Sequence, residues 1–210
     1  MNPVAIYPYK EDPLIRKMRV QAWYRAVALA SELNSRELER KFSESDGSRK
    51  VKRSCVWNRY RRGEVVPRSG PRPDGGINLV DRVEKEYPGT AKWLDLPLWR
   101  LLDKAPMEMS EIRRCYECLP PLIRSMFLHQ DADSSSGFWR RKELDCKGDG
   151  ELLLRFGDLD GFTAVLAMGK EALIVQSQKQ HKLCAVIVRE YSRRLAKDPV
   201  IGQYVRSYEL

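Results

Sequence analysis

The chain has 210 residues, 42% of them hydrophobic and 32% charged, so a real core can form in one large domain or two small ones. Thirty-eight Lys and Arg stand against 29 Asp and Glu, for a net charge of +9 and a pI near 9.4, a balance that favours nucleic acid as partner before an acidic protein or lipid surface. The longest apolar runs, FTAVLAM and ALIV, exclude a bilayer-spanning helix, and MNPVAIYPYKEDP lacks the apolar stretch of a secretory signal, so a soluble, cytoplasmic protein with no membrane partner is expected.

Residues 1–13 hold three prolines and two tyrosines and read as an extended arm. A helix is expected from Leu14. Ile15, Met18, Ala22, Ala26 and Leu29 form one stripe, widened by Trp23, Val27 and Ala30. Asn34 or Ser35 ends it and starts a short amphipathic helix, with Ser35 as N-cap and Leu38 and Phe42 one turn apart. SESDGSRK, residues 43–50, is a turn. A third helix is expected over Val51 to Arg62, with Gly63 as its C-cap and Pro67 blocking its continuation. RSGPRPDGG, residues 68–76, is a loop.

Charge concentrates here. Residues 36–72 contain twelve Lys or Arg and five Asp or Glu, which is +7 of the net charge (12 minus 5). Cations must lie within about a Debye length of one surface to bind phosphate together, so a local excess says more than a global one. On the third helix, Val56, Trp57 and Tyr60 share a side that can pack inward. Asn58, Arg59, Arg61 and Arg62 then point largely outward, with Arg49, Lys50, Lys52 and Arg53 before the helix and Arg68 and Arg72 after it. A helix fits the DNA major groove, arginine pairs with guanine and asparagine with adenine, and flanking cations hold phosphates. The same pattern also suits a solvated basic face over a buried Trp and Tyr.

The segment Ser54…Trp57-Asn-Arg-Tyr60-Arg-Arg-Gly63-Glu-Val-Val-Pro67 resembles the third helix and exit turn of Cro/repressor-like (XRE-type) helix-turn-helix domains. The resemblance covers about residues 15–95. It implies that Trp57 and Tyr60 fill the core, that Gly63 and Pro67 punctuate, and that the helix's N-terminal end, near Arg53 and Ser54, reads bases. Two departures stand out. Glu39 follows Leu38 where that family usually has a small residue, and SDGSRKVKR makes the link to Ser54 several residues too long.

Further along, Leu79, Val80, Val83 and Tyr87 mark a helical face that Pro88-Gly89 breaks. Thr90 caps a turn bearing Trp93, and Pro97 opens a helix with Leu98, Trp99, Leu101 and Leu102. Ser110 is read as the cap of EIRRCYECL, and PLIRSMFLH follows Pro120. DADSSSG and CKGDG are loops around FWRRKELD, which adds a helical turn. ELLLRF, a stretch from Leu159 to Gln178, and HKLCAVIVREYSRRLAKD complete a helical C-terminal half. In the last of these, Leu183, Val186, Ile187, Tyr191 and Leu195 share a face. ALIVQ and CAVIV have strand-like composition, but helix-forming flanks favour helix. The expected fold is mostly α: an N-terminal arm, a helix-turn-helix-like unit over residues 14–105, and a helical packing or oligomerisation unit over residues 106–210.

No site for a metal or other cofactor is expected. Cys115 and Cys118 form a lone CxxC, and Cys55, Cys146, Cys184, His129 and His181 supply no second ligand pair at zinc spacing. The acids of DADSSSG and DCKGDG lack the remaining calcium ligands, and Asp158 and Asp160 suit helix caps. Phosphate-loop, dinucleotide and nucleophile-elbow motifs are absent, so a catalytic role is not expected. The function this favours is DNA binding, as a transcriptional regulator or an accessory of a mobile-element or defence system, with RNA and a homodimer through residues 106–210 left open. The first alternative is a helical adaptor for an acidic protein or ribonucleoprotein, and the second a nucleic-acid enzyme whose site matches no motif.

Overall fold

The computed structural model describes residues 10–42, 55–70, 75–130, 139–142 and 148–205. The protein is mostly helical and divides into two compact units, Met1–Asp95 and Leu96–Leu210. The helix opened by Pro97, grouped with the first half in the sequence reading, therefore belongs to the second unit.

The first unit contains α1 (Pro13–Ser31), α2 (Ser35–Phe42), α3 (Val56–Arg62), α4 (Leu79–Glu86) and α5 (Lys92–Asp95). Asp12 caps α1 by accepting from the Leu14 N–H at 2.7 Å, and Pro13 sits at the first helical position, where its missing N–H costs nothing. Asn34, not Ser35, caps α2. Its Oδ1 accepts from the N–H of Arg36 and Glu37, and Glu37 accepts in return from the Asn34 N–H, a reciprocal capping box. Ser35 is buried instead, its hydroxyl 2.6 Å from that of Tyr24.

One aromatic cluster organises this unit. Trp57 stacks on Trp23 with centroids 5.5 Å apart, and Tyr60 meets both rings edge-on. Phe42 and Tyr24 close the remaining sides of Trp57. Val20, Val27, Leu38, Val80, Val83 and Leu94 complete the core. Leu29, expected in the α1 stripe, is 52% exposed: α1 buries Trp23, Tyr24 and Val27 toward the cluster, and its last turn runs past it. Glu84 fastens the α4–α5 turn by accepting from the N–H of Gly89 and Ala91 and from the Thr90 hydroxyl. Burial pushes its carboxyl up, but these donors outweigh burial and hold it below the usual range.

The second unit contains α6 (Pro97–Leu102), α7 (Met109–Glu117), α8 (Pro121–Phe127), β1 (Leu128–Gln130), β2 (Trp139–Arg141), α9 (Gly148–Phe156), α10 (Leu159–Ile174), α11 (Gln178–Leu195) and α12 (Gly202–Val205). α10 is buried on every side from Gly161 to Gly169, as an apolar helix at the centre of a bundle must be. Asp158 caps it by accepting from the Gly161 N–H at 2.8 Å, the role expected for this residue. Glu108 rather than Ser110 caps α7, in a capping box with Glu111. Within FWRRKELD, residues 139–141 form a strand rather than a helical turn, and residues 138 and 143–145 lie outside the described residues: β1 and β2 pair antiparallel, with Leu128 opposite Arg141. CKGDG is not wholly a loop, since α9 begins at Gly148. Of the charged groups in this unit, Arg100 grips Glu111 in a two-pronged ion pair and also donates to two carbonyls, and the Tyr116 hydroxyl donates to the buried Glu171 at 2.6 Å.

Candidate nucleic-acid interface

α3 is seven residues long, and its two ends explain its limits. At the start, the Trp57 N–H donates to Glu39 Oε2 at 3.1 Å, so the residue that departs from the helix-turn-helix pattern serves as a cap borrowed from α2. α3 itself begins at Val56, with Cys55 before it in a left-handed conformation at φ 49°, and the expected start at Val51 lies outside the described residues. At the end, Gly63 adopts φ 68°, its N–H donates to the Tyr60 carbonyl, and the Glu64 N–H donates to the Arg59 carbonyl. This is the paired cap in which glycine avoids the left-handed penalty. A side chain there would also meet the Lys17 carbonyl of α1 at 2.7 Å. Gly63 is therefore required twice, for its backbone angle and for the close approach of α1.

Trp57 and Tyr60 point inward, at 1% and 6% exposure, and Pro67 is buried after the cap. Arg59, Arg61 and Arg62 are exposed and Asn58 is half-buried. The outward arginines are not all free. The same cap that ends α3 folds Glu64 back along it. Arg62 donates to both Glu64 oxygens, at 2.5 and 3.0 Å, and Arg59 lies 4.0 Å from Oε2. The paired carboxylate raises the Arg62 guanidinium, and Arg62 in turn holds Glu64 below the usual carboxylate range. The outward arginines expected from sequence are therefore partly compensated: Arg62 shares its charge with Glu64.

Arg61 and Arg68 are exposed and carry no ion pair among the described residues. Arg61 emerges beside α1, where its carbonyl accepts from Gln21 Nε2. Arg68 is anchored through its carbonyl, which accepts from the Val80 N–H at the start of α4. Both Arg59 and Arg68 lie close enough to the Tyr60 hydroxyl to oppose the upward push of its burial. Arg59 and Arg62 thus meet at Glu64, and Arg59 and Arg68 near Tyr60, while Arg61 lies toward α1. Lys17 joins them from α1: it packs against Gly63 and bears on Glu64. Sequence reasoning missed Lys17 because a contact between residues so distant in the chain leaves no local pattern. Arg49, Lys50, Lys52, Arg53, Ser54 and Arg72 lie outside the described residues.

Elsewhere, Cys115 is buried and Cys118 exposed, and burial, aided by Cys118 and Glu111, pushes the Cys115 thiol up to about 11. Among the described residues, no group of three His, Cys, Asp or Glu side chains is placed to hold a metal ion, and no helix is long and apolar enough to cross a membrane. Comparison with protein-family models, curated proteins and solved structures finds no match. The helix-turn-helix resemblance rests on the chain's own residues.

Proposed function

We propose that residues 1–95 bind nucleic acid, with double-stranded DNA as the favoured partner and α3 as the contacting helix. The observation that carries this reading is the inward anchoring of Trp57 and Tyr60, which leaves Arg59, Arg61 and Arg62 at the surface of a unit where Arg68 and Lys17 are also exposed. The ion pair with Glu64 does not remove them from use. Both partners are open to solvent, where an ion pair is weak and screened by salt, so a phosphate can take the carboxylate's place. The cap on the Trp57 N–H has a different consequence. That donor is already taken by Glu39, so it is not offered to a base or phosphate at the start of α3. The reading extends to a DNA-binding regulator, or an accessory of a mobile-element or defence system.

The alternative, a helical adaptor, draws on the second unit, where Leu173, Ile174 and Val175 are exposed side by side after the end of the buried part of α10. Binding of the full chain to a labelled duplex at two salt concentrations separates the readings. A phosphate binder loses affinity steeply with salt, by about 0.9 in log K per log salt for each contact. Replacing Arg59, Arg61 and Arg62 by alanine should flatten that dependence while leaving the thermal transition in place. Unchanged binding in this variant would remove α3 from the interface.

A further inference from the structure

α11 is an eighteen-residue helix with two chemically distinct sides. Cys184, Ile187, Val188, Tyr191 and Leu195 are buried, and Tyr191 is locked by donating its hydroxyl proton to the Leu153 carbonyl of α9. Directly opposite, Lys179, Lys182, Val186, Arg189 and Arg193 recur at alternating spacings of three and four and are all exposed. Val186, placed on the buried face by the sequence reading, is 62% exposed in the middle of this row. No acid interrupts it. The helix's single carboxylate, Glu190, lies at the edge, where it meets Arg193 at 3.5 Å and Arg194 at 3.1 Å. Lys179, Lys182 and Arg189 carry no ion pair among the described residues. At a rise of about 1.5 Å per residue, the row from Lys179 to Arg193 is roughly 21 Å long.

We propose that this face of α11 is a second nucleic-acid-contacting surface, one that holds the phosphate backbone. Four cations in line on a rigid helix match a polyanion whose charges recur along a line, and duplex DNA carries one for about every 1.7 Å of its axis. The row has no aromatic side chain to stack on bases, and its cations, spaced along one helix face, suit phosphates that recur along a line. A lipid surface is the poorer occupant. Amphipathic helices bind bilayers by inserting their apolar side, and that side of α11 is used up inside the unit, leaving only Val186 outward. The inference stands on the second unit alone and does not depend on α3 binding anything.

The test uses the full chain carrying Lys179→Gln, Lys182→Gln, Arg189→Gln and Arg193→Gln together. Anisotropy of a labelled duplex of arbitrary sequence is read between 50 and 200 mM salt, beside the wild type and the Arg59/Arg61/Arg62 alanine variant. The α11 variant should lower the salt slope by about 3 to 4, so that its loss of affinity over this range is about a hundredfold smaller than that of the wild type. Should the quadruple variant melt early, the pairs Lys179/Lys182 and Arg189/Arg193 read the same slope in halves. A slope and affinity equal to wild type would overturn the proposal. So would loss of binding to phosphatidylserine vesicles with duplex binding intact, which would make the occupant a membrane. If only the α3 variant weakens binding, the α11 inference fails alone, and if only the α11 variant does, the α3 reading fails alone. A wild type that binds no duplex at either salt sinks both.

Discussion

α3 and α11 solve the same problem with opposite resources. Each buries one side and turns cations outward. α3 does so in seven residues, with two large aromatic anchors and the densest run of arginines in the chain. α11 uses eighteen residues, small and aliphatic anchors plus Tyr191, and a sparse row of Lys and Arg. The denser run is the less free. The cap that ends α3 at Gly63 turns Glu64 back onto Arg62 and toward Arg59, whereas three of the five cations on α11 meet no carboxylate among the described residues. Arginine density along a chain therefore does not measure available positive charge. What measures it is where the following turn sends the next acid.

The sharpest way to break the comparison is to remove an anchor from α3. Trp57 touches Trp23, Tyr24, Phe42 and Tyr60, so Trp57→Ala opens a cavity among four aromatic rings. It should cost about 3 to 5 kcal/mol, read by denaturant unfolding of the full chain. The first unit should then unfold before the second, so two transitions are expected where the wild type shows less separation. Next in size is Gly63→Ala. A methyl group there meets a positive φ and the Lys17 carbonyl together, and the expected loss is about 1 to 3 kcal/mol in the same measurement. Indifference to this change would mean that the close approach of α1 to the end of α3 is wrong.

Both sites were legible to different degrees before any coordinates. The inward turn of Trp57 and Tyr60 and the glycine cap follow from local spacing, which a sequence displays directly. The first helix of each unit's core also follows from its stripe, but its limits do not. Leu29 and Val186 fit an apolar period and yet face solvent, because a period says which residues share a side and not where the neighbouring element ends. The caps lie one or two residues before the expected ones at α2 and α7, since neighbouring polar residues can each cap; at α2 the choice is decided by the burial of Ser35 against Tyr24. The contribution of Lys17, the Glu39 cap on α3 and the strands on either side of the polar linker arise from residues far apart in sequence or from pairing, and no local pattern carries them.

In the second unit, Tyr191→Phe removes the donor to the Leu153 carbonyl while keeping the ring packed on Phe162. A buried carbonyl left without its partner costs about 1 to 2 kcal/mol, so the α9–α11 contact should weaken without opening. The measure is the second unfolding transition, with the first unmoved. If both shift equally, the two units do not melt as separate bodies.

The smallest expected effect falls on Glu64, and it bears most directly on why the two helices differ. Glu64→Gln keeps the shape of the turn and withdraws the charge that Arg62 and Arg59 share. Duplex affinity should rise by about threefold at low salt, since one competitor for the phosphate has gone. The pH dependence gives an independent reading. The folded carboxyl of Glu64 lies below its ordinary range because it accepts from Arg62, so the pair persists at neutral pH and is lost only as pH falls through that lowered value. Wild-type affinity should therefore climb in acid by more than that of the Gln variant over the same interval, the phosphates themselves remaining charged. A wild type and variant that climb together would place the acid response elsewhere in the chain. Equal affinities at neutral pH would show that the carboxylate never competes, and the contrast between α3 and α11 would then reduce to length alone.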